Sequence, residues 1–260
     1  NIIESTAGET ITQQSESSKN VTSKGYKIEN IDGVTYINNI MIVNKEYPLP
    51  RSYDPKDLDT TAYNAFLEMK KAAEADDIEL WIQSGYRSYD RQKELYDESI
   101  NSPDANKTDS LIAKPGYSEH QTGLSVDINS VTELMDEWAE GVWLKDNCYK
   151  YGFIVRYPKG KENYTGYDYE PWHLRYVGPA HAQYMFENNL CLEEYIELLK
   201  NYTFEKEHLK IKTYSGDQYE IYYMPVQACS QGLPVPSGMP FTVSGNNIDG
   251  FIITVKTFSA

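Results

Sequence analysis

Four histidines stand among the 260 residues, and two of them have carboxylates at informative spacings. His120 is followed by Asp127, and His173 is preceded by Glu170. Two imidazoles, one carboxylate and a spare carboxylate are the ingredients of a catalytic zinc site, in which three protein ligands leave a fourth position for water. Such an ion lowers the pKa of its water towards ~7 and polarises a bound carbonyl. A carboxylate outside the ligand set can take the water's proton and pass it to a leaving amine. Glu170 suits that role. Along a regular strand it and His173 point to opposite faces, and Pro171 between them predicts a local turn. Neither His-x6-Asp nor Glu-x-x-His is specific alone, since surface pairs and hydrogen-bonded core histidines give the same spacings. His181 and His208 have no such company and read as structural. Arg87 lies where a strand gives way to a helix, a place where ligand-facing groups gather. Its guanidinium can stabilise an oxyanion or hold a carboxylate, and a surface ion pair at a helix start is the plain alternative.

These residues need elements to hold them. Gly123–Ile128 alternates, with Leu124, Val126 and Ile128 on one face and Ser125 and Asp127 on the other, which predicts a strand. His173–Val177 predicts a strand with His173 and Arg175 on one face, and Phe153–Tyr157 and Leu80–Gln83 predict two more. Asp59 or Thr60 is the expected cap of a helix whose inner face carries Ala62, Phe66, Met69 and Ala73. Ser88 is the expected cap of a second helix reaching about Ile100, followed by a polar loop over 101–116. A helical stretch from about Glu133 to Tyr151 should stop at Gly152, and helices are expected over 179–188 and 192–200. Ile31–Ile37 and Ile40–Val43 read as short strands, and Pro48, Pro50 and Pro55 as a turn-rich stretch. Beyond residue 204 the chain becomes rich in Thr, Tyr, Val and Ile with Gly and Pro turns, which predicts several short antiparallel strands.

Composition narrows the partners. Asp plus Glu number 39 against 24 Lys plus Arg, a net charge of −15. Such a chain lacks the basic stripe needed for nucleic acid and is repelled by anionic membrane surfaces. Cys148, Cys191 and Cys229 are odd in number and far apart, which is not a disulfide scaffold. Residues 1–25 hold nine Ser or Thr and no aromatic residue, a composition that cannot bury enough apolar area to offset ordering. The expected organisation is a flexible tether over 1–25, a catalytic domain over 26–204 and a small β-rich domain over 205–260. The chain starts at Asn1 rather than Met, so an upstream signal or membrane anchor is expected.

Three strings occur in order: Ser84-Gly-Tyr-Arg-Ser88, Pro115-Gly-Tyr-Ser-Glu-His-Gln-Thr-Gly-Leu-Ser-Val-Asp-Ile128 and Glu170-Pro-Trp-His-Leu-Arg-Tyr176. Together they resemble the VanY-type D-alanyl-D-alanine carboxypeptidases of the zinc peptidase M15B group. Val43-Asn-Lys45, Leu49-Pro50, Tyr53-Asp-Pro55, Tyr151-Gly-Phe153 and Arg156-Tyr157 extend the likeness over about residues 40–190. The resemblance implies an α+β fold in which an antiparallel sheet with flanking helices bears the site, as in VanX and the hedgehog amino-terminal domain. It implies zinc on His120, Asp127 and His173, Glu170 as general base and Arg87 over the substrate carbonyl. Ser118, Gln121 and Tyr157 lie in or beside the matched strings and are expected to line the peptide pocket. The implied activity is removal of a C-terminal D-alanine from peptidoglycan stem peptides, outside the membrane. The alternatives are an L,D-carboxypeptidase, a peptidoglycan endopeptidase, or a wall-binding module without catalysis. Intact Glu170 and Arg87 argue against the last.

Overall fold

The computed structural model describes residues 26–29, 38–101 and 112–258. The expected tether and the strand at Ile31–Ile37 lie outside these residues, as does most of the 101–116 loop. Helix α1 (Thr60–Ala75) begins where the Asp59 carboxylate accepts from the amides of Thr61 and Ala62, and it buries Ala62, Phe66, Met69 and Ala73. Helix α2 (Tyr89–Ile100) is capped by the Ser88 hydroxyl, and Gln92 is buried on its inner face.

The sheet that matters for function has four antiparallel strands in the order β2-β3-β5-β4. They are β2 (Ile82–Ser84), β3 (Ser125–Ile128), β4 (Phe153–Tyr157) and β5 (Glu170–Tyr176). One face of β3, with Val126 and Ile128, packs with Leu174 against Phe66 and Met69 of α1. The other face carries Ser125 and Asp127, and both are buried. Register then does the positioning, because Ser84 pairs with Asp127 and Asp127 pairs with His173. Strand β2 starts two residues later than its apolar run suggests. The Asn129 side chain takes its place at that end, accepting from Trp81 N and donating to Glu79 O.

Between β3 and β4 the expected single helical stretch is broken. A 3-10 turn (Glu133–Glu137), helix α3 (Ala139–Asn147) and a second 3-10 turn (Cys148–Tyr151) follow one another. Gly152 stops them at φ +84°, where a Cβ would lie 2.8 Å from the Tyr176 ring. A short helix α4 (Glu162–Thr165) precedes β5, and helices α5 (Pro179–Glu187) and α6 (Leu192–Leu199) follow it.

The C-terminal part forms a second antiparallel sheet, ordered β6-β7-β10-β9. Its strands are β6 (Leu209–Lys212), β7 (Gln218–Pro225), β9 (Phe241–Gly245) and β10 (Gly250–Thr257). Strand β8 (Leu233–Pro236) instead pairs with β1 (Tyr26–Glu29). One apolar cluster unites Leu192, Ile196 and Leu199 of α6 with Ile211, Ile221 and Ile252 of this sheet.

Ile40–Val43 is not a strand. It is a buried irregular segment whose backbone groups find partners other than a neighbouring strand's ladder. Ile42 N donates to Asn246 O at 3.1 Å and Ile40 N to Ser244 Oγ at 3.0 Å. The Arg175 guanidinium donates to the carbonyls of Asn39 and Met41.

Candidate metal centre and its cleft

His120 sits in a 3-10 turn, Glu119–Thr122, immediately before β3. The turn reverses at Gly123, at φ +72°, where a Cβ would lie 2.6 Å from Asp57 O. No other residue fits there without moving backbone. His120 Nδ1 lies 2.7 Å from Gly85 O. Since a carbonyl only accepts, Nδ1 carries the proton and Nε2 is left as a lone-pair donor. Nε2 faces Asp127 Oδ2 at 3.2 Å, and His173 Nδ1 faces Asp127 Oδ1 at 3.0 Å. One potential ligand atom from each of the three residues lies within 4.8 Å of the others, and all three residues are buried. Two nitrogens and one carboxylate oxygen converging in this way are the donor set of a catalytic zinc site.

Electrostatics agree with that donor set. Burial pushes the Asp127 carboxyl up, but His120 and His173 outweigh it and hold the group below the usual carboxylate range. Burial drives His173 down, yet its contacts with Asp127 and Glu119 raise it to about 9. A potential that favours a proton on a buried imidazole favours a metal cation there as well. Burial dominates at His120 and pushes it down, which keeps the imidazole neutral and able to ligate.

Glu170 stands with Oε2 3.7 Å from His173 Nδ1. A bulge rather than the expected turn brings it to that side. Val155 pairs with Leu174 and Tyr157 with Glu170, so three residues of β5 oppose one of β4. Burial raises the Glu170 carboxyl to about 7, with His173 opposing and Asp127 adding to the rise. Arg87 is fixed on the far side of Asp127, at 3.9 Å. Its Nη2 donates to Ser84 Oγ and its Nη1 to Gln92 Oε1, both at 2.9 Å. Gln92 is held in turn by donating to Ala113 O.

These groups open onto a cleft of about 620 Å³, walled by Ser118, Leu95, Tyr157, Tyr167 and Trp172. Ser118 and Tyr157 therefore stand where the sequence places them, and the Tyr157 ring lies 5.0 Å from that of His173. Gln121 does not. It is fully buried and its amide donates to Pro50 O and Tyr53 O, so it ties down the proline-rich segment and faces away from the cleft. His181 bridges Tyr195 and Thr254, His208 bridges Glu220 and Phe204 O, and all three cysteines are free thiols. Gln92 and Glu119 are the site residues that spacing alone does not single out. The signal for Gln92 is a polar residue four positions after the cap, on the face of α2 that turns inward.

The sequence pattern of the VanY family, described as D-alanyl-D-alanine carboxypeptidase, matches residues 55–179. A D-alanyl-D-alanine carboxypeptidase of Enterococcus faecium is 37% identical over 244 residues, covering 85% of this chain and 76% of that protein. The D,D-dipeptidase VanXYg, solved with a D-Ala-D-Ala phosphinate analogue, superposes with a TM-score of 0.74 at 30% identity, covering 85% of this chain and 94% of its own. The LD-carboxypeptidase LdcB is 42% identical with a TM-score of 0.58, covering 66% of this chain and 94% of its own. The D,D-pentapeptidase VanY of a VanB-type resistance cassette, solved as a glutamate-to-alanine mutant with Zn(II), is 35% identical with a TM-score of 0.54, covering 61% of this chain and 98% of its own. The family match, with 37% identity over most of a D-alanyl-D-alanine carboxypeptidase, shows that the chain belongs to the VanY family of D-alanyl-D-alanine carboxypeptidases.

Proposed function

We propose that this protein is a zinc D,D-carboxypeptidase that removes the C-terminal D-alanine from peptidoglycan stem peptides. The observation that carries the reading is the convergence of His120, Asp127 and His173 beside two groups a structural metal site does not need, Glu170 and Arg87. His120, Asp127 and His173 would hold the ion, which when bound polarises the scissile carbonyl and activates a water. Glu170, buried and poised near neutrality, accepts the proton of the attacking water and returns it to the departing amine. Arg87 donates to the oxygen on which charge develops, and Ser84 and Gln92 keep its fork aimed so that little reorganisation accompanies the step. Tyr157, Tyr167 and Trp172 line the cleft and give the substrate an aromatic wall beside the site. The division at residue 204, with a β-rich unit that packs on the catalytic part, belongs to the same proposal.

The likeness to LdcB favours a second reading, cleavage of an L,D bond by the same groups. Digestion of purified pentapeptide, tetrapeptide and cross-linked muropeptides, followed by mass spectrometry, separates the readings. Loss of one D-alanine from pentapeptide, abolished by chelator and restored by zinc, is the expected result. Cleavage of tetrapeptide alone would replace the D,D reading with the L,D one, and cleavage of cross-links alone would make the protein an endopeptidase. The substrate argues for a location outside the membrane. Cell fractionation that found the protein in the cytosol would overturn this.

A further inference from the structure

Glu119 has no part in that mechanism, yet it lies at the centre of the most deeply buried charge cluster among the described residues. Its side chain and those of Arg156 and Arg175 are fully buried. Oε1 accepts from Arg156 Nε at 2.7 Å and from Arg175 Nη1 at 2.8 Å, and Oε2 accepts from Ser125 Oγ at 3.1 Å. Replacing such a buried cluster with apolar residues is often neutral or stabilising, so its presence calls for a role other than stability. The free side of Oε2 supplies one. It faces His173 Nε2 at 3.9 Å, and that nitrogen is buried with no hydrogen-bond partner.

A neutral imidazole carries one N–H. His173 turns Nδ1 towards Asp127 and the ligand cluster, so when Nδ1 serves a metal ion the remaining proton sits on Nε2. In a site closed to water that proton needs an acceptor. We infer that Glu119 is a positioning residue for His173, taking the Nε2 proton, and that Arg156 and Arg175 hold Glu119 in place for it. The brace reaches further. Arg156 grips Glu193, in the first turn of α6, with Nη1 to Oε2 at 2.9 Å and Nη2 to Oε1 at 2.6 Å. Asn44 Nδ2 donates to the same carboxylate, and Arg175 ties down the carbonyls of Asn39 and Met41. The orientation of one ligand is thereby set by a helix and a segment distant in sequence.

The inference rests on the metal site proposed above, and the test separates the two. Long-range proton–nitrogen spectra of the zinc-loaded, histidine-labelled protein should show two ligand histidines of opposite tautomer. His120 should be protonated at Nδ1, and His173 at Nε2 with a slowly exchanging proton. In Glu119→Gln the amide oxygen is claimed by the two guanidiniums, which turns its NH2 towards Nε2. Zinc affinity, read by chelator competition, should then fall about 10- to 100-fold. The visible absorption of the cobalt-substituted protein should shift, and Glu119→Asp should restore part of the affinity. A folded Glu119→Gln with wild-type affinity and cobalt spectrum overturns the inference. So does a wild-type spectrum with His173 protonated at Nδ1, which decides the matter even where the variant does not fold. Wild-type protein that takes up no zinc removes the metal reading itself.

Discussion

Glu170→Gln gives the sharpest single test, because it should change activity and stability in opposite directions. The substitution keeps shape and removes only the ability to hold a charge. As a lost general base it should lower kcat by about 10²- to 10⁴-fold, with zinc content unchanged. The stability side follows from burial. The Glu170 carboxyl rises from 4.5 to about 7 in the fold, and at ~1.4 kcal/mol per tenfold this places the cost of ionising it there on the order of 3 kcal/mol. Between pH 4.5 and about 7 the folded, metal-free protein holds a proton that the unfolded chain has released. Metal-free stability should therefore decline as pH rises through that window, and the penalty should be complete above it. Metal-free Glu170→Gln escapes the penalty. Urea unfolding of chelator-treated proteins should show the variant more stable by a few kcal/mol at pH 8 and little different at pH 4.5. Equal stabilities at both pH values would refute the claim that burial tunes this carboxylate, and wild-type turnover would refute its role as base.

Arg87→Lys loses the fork held by Ser84 and Gln92 and should cost about 10²- to 10³-fold in kcat at unchanged zinc content; steady-state kinetics with metal analysis checks both halves. His173→Ala removes a ligand and should leave the purified protein without stoichiometric metal, so full zinc occupancy measured by atomic emission would contradict the ligand assignment. His181 is pushed down to about 3 by burial, so below its ordinary value of 6.5 the unfolded chain binds a proton that the fold refuses. Stability should fall with acidification from pH 6.5 towards 3, at a limiting slope of about 1.4 kcal/mol per pH unit, and urea titrations of His181→Gln should show a shallower fall.

Much of the fold was legible because the responsible signals are local. The caps at Asp59 and Ser88, the 4-3-4 spacing from Ala62 to Ala73, and the alternation in β3 act over a few residues. The candidate ligand cluster was legible for a different reason, since the strings around His120, Asp127 and His173 are short and ordered. What escaped depends on partners far away in sequence. Ile40–Val43 has the composition of a strand, but Arg175, Ser244 and Asn246 take its backbone groups, and nothing within the segment announces them. Gln121 lies in a matched string, and only the fold reveals that its amide turns towards Pro50 and Tyr53. Pro171 suggests a turn, whereas the offset between β4 and β5 is a property of two strands together. Glu119 reads as one more acid in an acidic chain until two arginines from different strands close on it.

The same long-range logic bears on the β-rich C-terminal part. Helix α6 presents Glu193 to Arg156 at its first turn and Leu192, Ile196 and Leu199 to the apolar cluster along its length. Ile211, Ile221 and Ile252 of the second sheet fill the other side of that cluster, and His181 of α5 reaches Thr254 of β10. Lys200, just past α6, pairs with Asp249 of the turn before β10 at 3.0 Å. The helix that fixes Arg156, and through it Glu119 and His173, is therefore itself seated on the second sheet. Asn246 and Asn247, in the turn between β9 and β10, bond to the backbone of Ile42 and so hold the segment that Arg175 also grips. Both arms of the proposed brace behind His173 end on this sheet. The packing of this sheet therefore reaches the site through two separate chains of contact.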